Sequence, residues 1–347
     1  MRWLALCFML LVTVSAAEAG RTDVPWWLPG CYQEWEAYTT FDSVFMQRDN
    51  LANLNQTLIM DGNTGDSVIN ARDMQFAVAP GVRVFYGQHG RCGIGWEAGY
   101  LGVYGMYADG HTNGDANLQV PLPLSAQVDS LRGASLGKTT YSSFLNSAEL
   151  NFLVTDSWVH LPRETAYEFE RIPASATVDW IVGARWAGLE DAASIQLVDP
   201  TDPMDVITGN YDVRSSSNLI GAQIGTRGRI ECQGWALEGW LKAGLAGAIL
   251  SQSQDPIIDS VNGFVERDAR GSTTGTVGGI FDLGTSLVYR INDVWGLRVG
   301  YSMLWLTGVA LAPDQFDFSA NVDAGTAVDG NATLWLGGGT LGLEATW

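Results

Sequence analysis

From Trp295 to Trp305 every second residue is apolar. Trp295, Leu297, Val299, Tyr301, Met303 and Trp305 occupy one set of positions, and Gly296, Arg298, Gly300 and Ser302 fall between them. Residues two apart share a face only in a β-strand, so this segment must present one apolar face and one small or polar face. The ten steps from Trp295 to Trp305 rise roughly 33 Å. A tilt of about 40° reduces that to a height of roughly 25 Å, the thickness of the apolar band around a membrane barrel. Leu304 and Leu306 reverse the polarity near the outer end. The last segment repeats the pattern, with Leu341, Leu343, Ala345 and Trp347 alternating against Thr340, Gly342, Glu344 and Thr346.

Composition agrees with strands that have lipid on one side. Hydrophobic residues make up 46% of the 347, charged residues only 16%, and Gly reaches 41. A soluble domain carries about 25% charged residues. Beyond position 19 no apolar run approaches the roughly 20 residues of a transmembrane helix, so the apolar residues are spread over alternating positions. A secreted β-sandwich or solenoid shares this composition, and the periodicity is what favours the barrel. The net charge of −19 excludes nucleic acid, which needs a basic surface.

Arg2, the apolar run Trp3 to Val14 and the small-x-small site Ala17-Glu18-Ala19 predict a signal peptide cut after Ala19. Cys7 lies inside it. Cys31, Cys92 and Cys232 remain, an odd number without metal-ligand spacing, so no zinc site is expected. One disulfide among the three is open, and spacing does not choose the pair. No linker-like break divides the rest. The expected organisation is a signal peptide (1–19), a periplasmic N-terminal segment (20–34) and one barrel (35–347).

Alternation places ten strands near 35–47, 75–87, 93–106, 141–153, 177–189, 216–226, 234–248, 278–290, 295–309 and 334–347. Short links lie near 87–93, 226–234 and 290–294. Long Asp/Gly/Ser-rich links cover 48–74, 107–140, 190–215, 249–277 and 310–333. Short periplasmic turns and long external loops alternate in this way in outer-membrane barrels, with both termini periplasmic. The link 154–176 is long where a short one is expected; a further hairpin there would make twelve strands. Trp35, Trp96, Trp180, Trp235 and Trp295 open outward-going strands, and Trp347 closes the last inward one. With Tyr86, Phe152 and Tyr289 they would form an aromatic girdle at one membrane interface. The aromatic end of an amphipathic last strand is also what such barrels present to their assembly machinery.

The stretches PGVRVFYGQHGRCGIGWEAGYLGVYG (80–105), SAELNF (147–152), VGARWAGLED (182–191), SNLIGAQIG (217–225), KAGLAG (242–247), GYSMLWLTGVALAPDQ (300–315) and GGGTLGLE (337–344) resemble the seventh family in a numbered series of β-barrel porins. The resemblance implies an outer-membrane barrel with a porin role. It brings no catalytic motif.

The polar strand faces should point into the lumen, because Arg or Lys against mid-depth hydrocarbon costs about 2–4 kcal/mol. They carry Arg83, Glu97, Glu149, Arg185, Glu238, Lys242, Asp282, Arg298 and Glu344. A hairpin centred on His89-Gly90-Arg91 would set Arg83 opposite Glu97. Such charges either form a selective constriction or fill a narrow barrel with salt bridges. Ten strands lie closer to the filled eight-stranded barrel than to a 16-stranded porin, which favours filling. Inward Gly87, Gly95 and Gly99 are expected to leave room for a pore.

Acidic loops offer Asp255, Asp259, Glu266 and Asp268 in one place and Asp314, Asp317, Asp323 and Asp329 in another. Neither has the spacing of a calcium loop, so solvated charge is the expectation. Gly337 to Gly342 fits GxGxxG without room for a following helix, and Gly133 to Thr139 is one residue short of a phosphate loop. His89, His111 and His160 are the histidines, and nothing orients His111 toward Ser142 or Ser143. The expectation is therefore an outer-membrane barrel without catalysis, metal or cofactor, acting as a narrow passive channel for small solutes. Its partners would be membrane lipid and the assembly machinery. The alternative is a non-conducting surface barrel whose acidic loops bind envelope components.

Overall fold

The structure, a computed structural model, describes residues 35–49, 54–90, 93–156, 175–199, 207–232, 234–321 and 323–347. The predicted signal peptide, the N-terminal segment, Cys31, Cys92, His160 and most of the 154–176 link lie outside these residues. Ten antiparallel strands build the wall: β1 (Trp35–Asp49), β2 (Ala79–Gly90), β3 (Ile94–Gln119), β4 (Ala134–Asp156), β5 (Ser175–Asp199), β6 (Ile207–Cys232), β7 (Trp235–Gln254), β8 (Arg270–Arg290), β9 (Trp295–Val309) and β10 (Ala332–Thr346). Each pairs with its sequence neighbours, and β1 pairs with β10 through Tyr38 opposite Thr346, so the sheet closes without a free edge.

Short turns join β2 to β3, β6 to β7 and β8 to β9 at one end of the barrel, the turn end. Gly93 and Gly234 hold φ of +74° and +75° in two of them, a conformation that a Cβ would strain. The other end, the loop end, carries the connections β1–β2, β3–β4, β5–β6, β7–β8 and β9–β10. A ribbon of Thr57–Asp61 and Ser67–Asn70 lies against the far end of β3, and a hairpin of Ile257–Ile258 and Val265–Arg267 stands between β7 and β8.

The wall is taller than the alternation predicted. Strands β3 to β6 run for 26, 23, 25 and 26 residues, through much of what was expected to be loop at 107–140 and 190–215. Strand β5 shows why. Trp180, Val182 and Ala184 face out and Arg185 faces in, but farther along Glu190 faces out while Leu189, Ile195 and Leu197 are buried. The period of two persists while its polarity inverts, as a strand must when it leaves hydrocarbon for water and its inner face meets a core.

The exterior over the lower strands is apolar, with Phe41, Val182, Ile224, Leu241, Leu287, Val299 and Leu341 all exposed. A closed sheet with this exterior requires hydrocarbon around it. Trp96, Trp180, Trp235 and Trp295 are exposed at its turn end. Tyr86 packs 5.6 Å from Trp96 and 6.4 Å from Trp347, and Tyr289 packs 4.7 Å from Trp235. Trp35 opens β1, with its side chain outside the described residues. At the upper limit Phe281, Trp305 and Trp335, in register on β8, β9 and β10, stack at 4.7 and 4.8 Å.

Candidate functional site

Strand parity brings all nine charged lumen candidates inside. Arg83, Glu97, Glu149, Arg185, Glu238, Lys242, Asp282, Arg298 and Glu344 are each at most 8% exposed. They meet in clusters that cross the lumen. Arg83 and Arg185 both reach Asp282, at 2.7 and 3.0 Å, and the Trp240 indole donates to the same carboxylate at 2.8 Å. Lys242 lies 2.9 Å from Glu149 and 3.3 Å from Glu97. Arg298 holds Glu344 at 2.7 Å, Glu238 at 2.9 Å and Asp42 at 3.4 Å.

Arg83 and Glu97 do not pair with each other. The β2–β3 turn is centred beyond Gly90, with the Gly93 N–H donating to the Gly90 carbonyl, so Arg83 stands opposite Leu101 and Glu97 opposite Gly87. Glu97 is instead surrounded by Arg227 at 2.7 Å, the Tyr38 hydroxyl at 2.6 Å, the Asn151 amide at 2.9 Å and Lys242. A buried carboxylate needs this many partners to offset its lost hydration.

The alternation assigned to β6 ended at Thr226 and so missed Arg227 and Arg229, which continue the odd-numbered inner face of that strand. Arg227 also binds Asp179 at 2.7 Å, and Arg229 binds Glu344 through its Nη2 at 2.6 Å. Carrying the period two beyond the apolar positions would have found both. Asp42 and Asp179 are likewise buried; both fall inside the expected strands 35–47 and 177–189 but were not among the lumen candidates.

The inward glycines do not leave open space. Tyr38 stands opposite Gly87, Phe85 opposite Gly99 and Trp240 opposite Gly284. A Cβ on any of the three would strike the facing ring, at 2.5 Å for Gly87. Gly95 is crowded too, its Cβ position lying 2.5 Å from the Gln88 carbonyl oxygen. The aromatics lie flat inside the wall, where Lys242 sits 4.7 Å over Phe85 and Arg83 5.1 Å over Trp240.

Below the ion pairs a cavity of about 910 Å³ is lined from the turn-end residues Gly90, Gly93 and Asp293 up to Arg83 and Lys242. Above them the mouth is closed by a packed apolar core. Wall residues Val44, Leu145, Leu189, Ile195, Leu304 and Leu306 meet Leu58, Ile59, Leu124, Leu131, Leu311, Phe316 and Phe318 from the inward-folded connections. Within this core Arg48 pairs with Asp191 at 2.9 Å, and the Tyr141 hydroxyl donates to the same carboxylate at 2.6 Å.

The acidic loop residues separate into different roles. Asp259 is fully buried and accepts from the Asp129, Ser130 and Val261 N–H groups and the Asn262 amide. Asp255 pairs with the exposed Arg214, and Asp317 accepts from the Ser319 and Gly325 N–H groups. Among the described residues no group of three or more His, Cys, Asp or Glu is placed to hold a metal ion. His89 stacks on Tyr38 at 5.3 Å, while His111 is exposed and Ser143 buried, so those two point to opposite sides of the wall. Cys232 is exposed at the turn end.

Residues 138–347 match the family model described as "Putative beta barrel porin-7". No curated protein matches the sequence. Among solved structures, the outer membrane protease OmpT from Escherichia coli superposes with a TM-score of 0.46 at 11% identity, covering 92% of this chain and 98% of that one. A major outer membrane protein from Thermus thermophilus gives 0.34 at 11% identity over 90% and 99% of the two chains. The Ralstonia pickettii toluene transporter TbuX gives 0.28 at 10% identity over 91% and 89%.

Proposed function

The chain belongs to the Putative beta barrel porin-7 family of outer-membrane barrels, and from that premise we propose that it is a narrow, gated channel for small solutes that rests closed. The observation that carries this reading is the 910 Å³ cavity, a vestibule leading from the turn end to the ion-paired belt. Above the belt the mouth is sealed by connections folded into it, and a seal of that kind can move without opening the wall. Both β1 and β10 have their outer chain ends at the turn end, which supports reading that end as the periplasmic one. The aromatics at the two edges of the apolar band then act as girdles at the two interfaces.

Vestibule charge is mixed. Arg227, Arg229 and Arg290 face Glu36, Glu231 and Asp293, a lining suited to small polar or zwitterionic solutes more than to ions of one sign. No cofactor is required. The second reading, a non-conducting surface barrel whose acidic loops bind envelope components, is favoured by the ion pairs that cross the lumen.

Purified protein in planar bilayers separates the two. A channel gives discrete conductance steps, and Arg83→Gln, Arg185→Gln or Arg298→Gln shifts their ion selectivity. A correctly folded barrel silent at every voltage and pH overturns the channel and leaves the filled barrel.

A further inference from the structure

The described residues of the connection between β9 and β10, 310–321 and 323–331, are seated in the loop-end mouth without joining the sheet. Pairing of the two strands stops at Val309 opposite Ala332. The segment's polar contacts with the wall and with the hairpin between β7 and β8 are made mainly by side chains reaching backbone. Ser215 donates to the Ala310 carbonyl at 2.9 Å and Ser217 accepts from the Ala310 N–H at 2.9 Å. Gln254 donates to the Gln315 carbonyl at 2.8 Å, and Arg267 donates to the Asp317 and Ser319 carbonyls at 2.8 and 2.7 Å. Releasing the segment would break these bonds and unpack Leu311, Phe316 and Phe318, while every wall strand kept its ladder.

Asp314 lies in the short helical turn Ala312–Gln315 of this segment, half-buried above the Arg48–Asp191–Tyr141 group. Among the described residues its carboxylate has no hydrogen bond or ion pair. The charged and titratable groups facing it are Asp329 from its own connection, Asp191 from β5, Arg48 from β1 and Tyr141 from β4. Arg48 is already engaged by Asp191 and Tyr141, so an ionised Asp314 adds a negative charge to a site with no free cation.

We propose that residues 310–331 form a releasable plug, seated while Asp314 is protonated and loosened by its ionisation. The proposal rests on the gated-channel reading above and names the gate. Burial first, then Asp329 and Asp191, push the Asp314 carboxyl up to about 7 against the opposing pull of Arg48. A raised carboxyl strengthens the seated state fully below the ordinary range near 4, and that contribution is lost as pH rises through about 7. The plug should therefore hold at acidic pH and loosen above neutrality.

Hydrogen exchange of the intact barrel in detergent, followed by mass spectrometry from pH 5.5 to 8.5 and corrected for intrinsic rates, reads the seating directly. In the unmodified protein, protection of peptides covering 310–331 should fall at least tenfold across this range, while β7 to β10 stay protected. Asp314→Asn, an isosteric neutral side chain, should remain protected throughout. Protection that does not change with pH, or an equal loss in Asp314→Asn, overturns the proposal. Bilayer currents recorded in parallel keep the two ideas apart. A pH-dependent plug on a silent barrel supports the plug and removes the channel; currents through a barrel with invariant protection do the reverse.

Discussion

Arg83 on β2 lies 2.7 Å from Asp282 on β8, although three strands separate them along the shorter arc of the wall. The contact crosses the lumen, so two side chains span the interior at this level. Arg48 to Asp191 and Arg229 to Glu344 make the same kind of crossing, each with three strands between. Pairs of this kind tie opposite walls together, and their buried position makes the loss of one partner costly.

Asp282 is the more sensitive member of its cluster. Asp282→Asn leaves both Arg83 and Arg185 without their carboxylate, whereas Arg83→Gln leaves Asp282 with Arg185 and Trp240. Removing one partner of a buried pair costs about 3–5 kcal/mol. Asp282→Asn should approach that value in urea unfolding from lipid vesicles, and Arg83→Gln should cost less. Equal losses in the two variants would mean that Arg185 does not share the carboxylate.

Gly99→Ala tests whether the inward glycines hold space or hold rings. The added methyl meets the Phe85 ring, which lies under Lys242. Overpacking of this kind costs about 1–3 kcal/mol, and unfolding from vesicles should show it. A neutral Gly99→Ala would mean that Phe85 has room to move and that the lumen is looser than its contacts imply.

The inward set of charges was legible in the sequence because parity along a strand survives any error in where the strand ends. Pairing was not legible. The expected Arg83–Glu97 pair failed because the turn lies farther along the chain than His89-Gly90-Arg91, and a hairpin's register follows its turn. Arg227 and Arg229 lie past Thr226, where the alternation predicts the end of the strand, although the ladder continues to Glu231. The seated connection at 310–331 left almost no local signal. Leu311, Phe316 and Phe318 read as loop apolars until the wall supplies a mouth for them to fill. Leu304 and Leu306, which break the alternation of β9, were the visible half of that contact.

The exterior makes a prediction that depends on depth. Val299 is 52% exposed about midway between Trp295 and Trp305, at mid-depth in the apolar band around β9. Val299→Arg should destabilise the folded barrel by about 2–4 kcal/mol in vesicles. Gln196→Arg, on the outer face of β5 beyond the polarity inversion, should change stability by no more than about 0.5 kcal/mol. Similar costs at the two positions would show that the apolar band extends farther up the wall than the inversion marks.

Asp259 joins two connections that are distant in sequence. It is fully buried in the hairpin between β7 and β8, yet it accepts from the Asp129 and Ser130 N–H groups in the connection between β3 and β4, both at 3.2 Å. Its remaining partners, the Val261 N–H at 3.0 Å and the Asn262 amide at 2.9 Å, close the hairpin's own turn. Asp259→Asn replaces one acceptor oxygen with a donor facing other donors, leaving buried N–H groups unpaired at about 1–3 kcal/mol each. The wall does not depend on these bonds, so the barrel should still fold and keep its heat-dependent mobility shift on gels. The tip that exposes Phe264 should become a cleavage site for external protease, with a second site opening near Ser130. Cleavage at the tip alone would sink the idea that one carboxylate holds both connections.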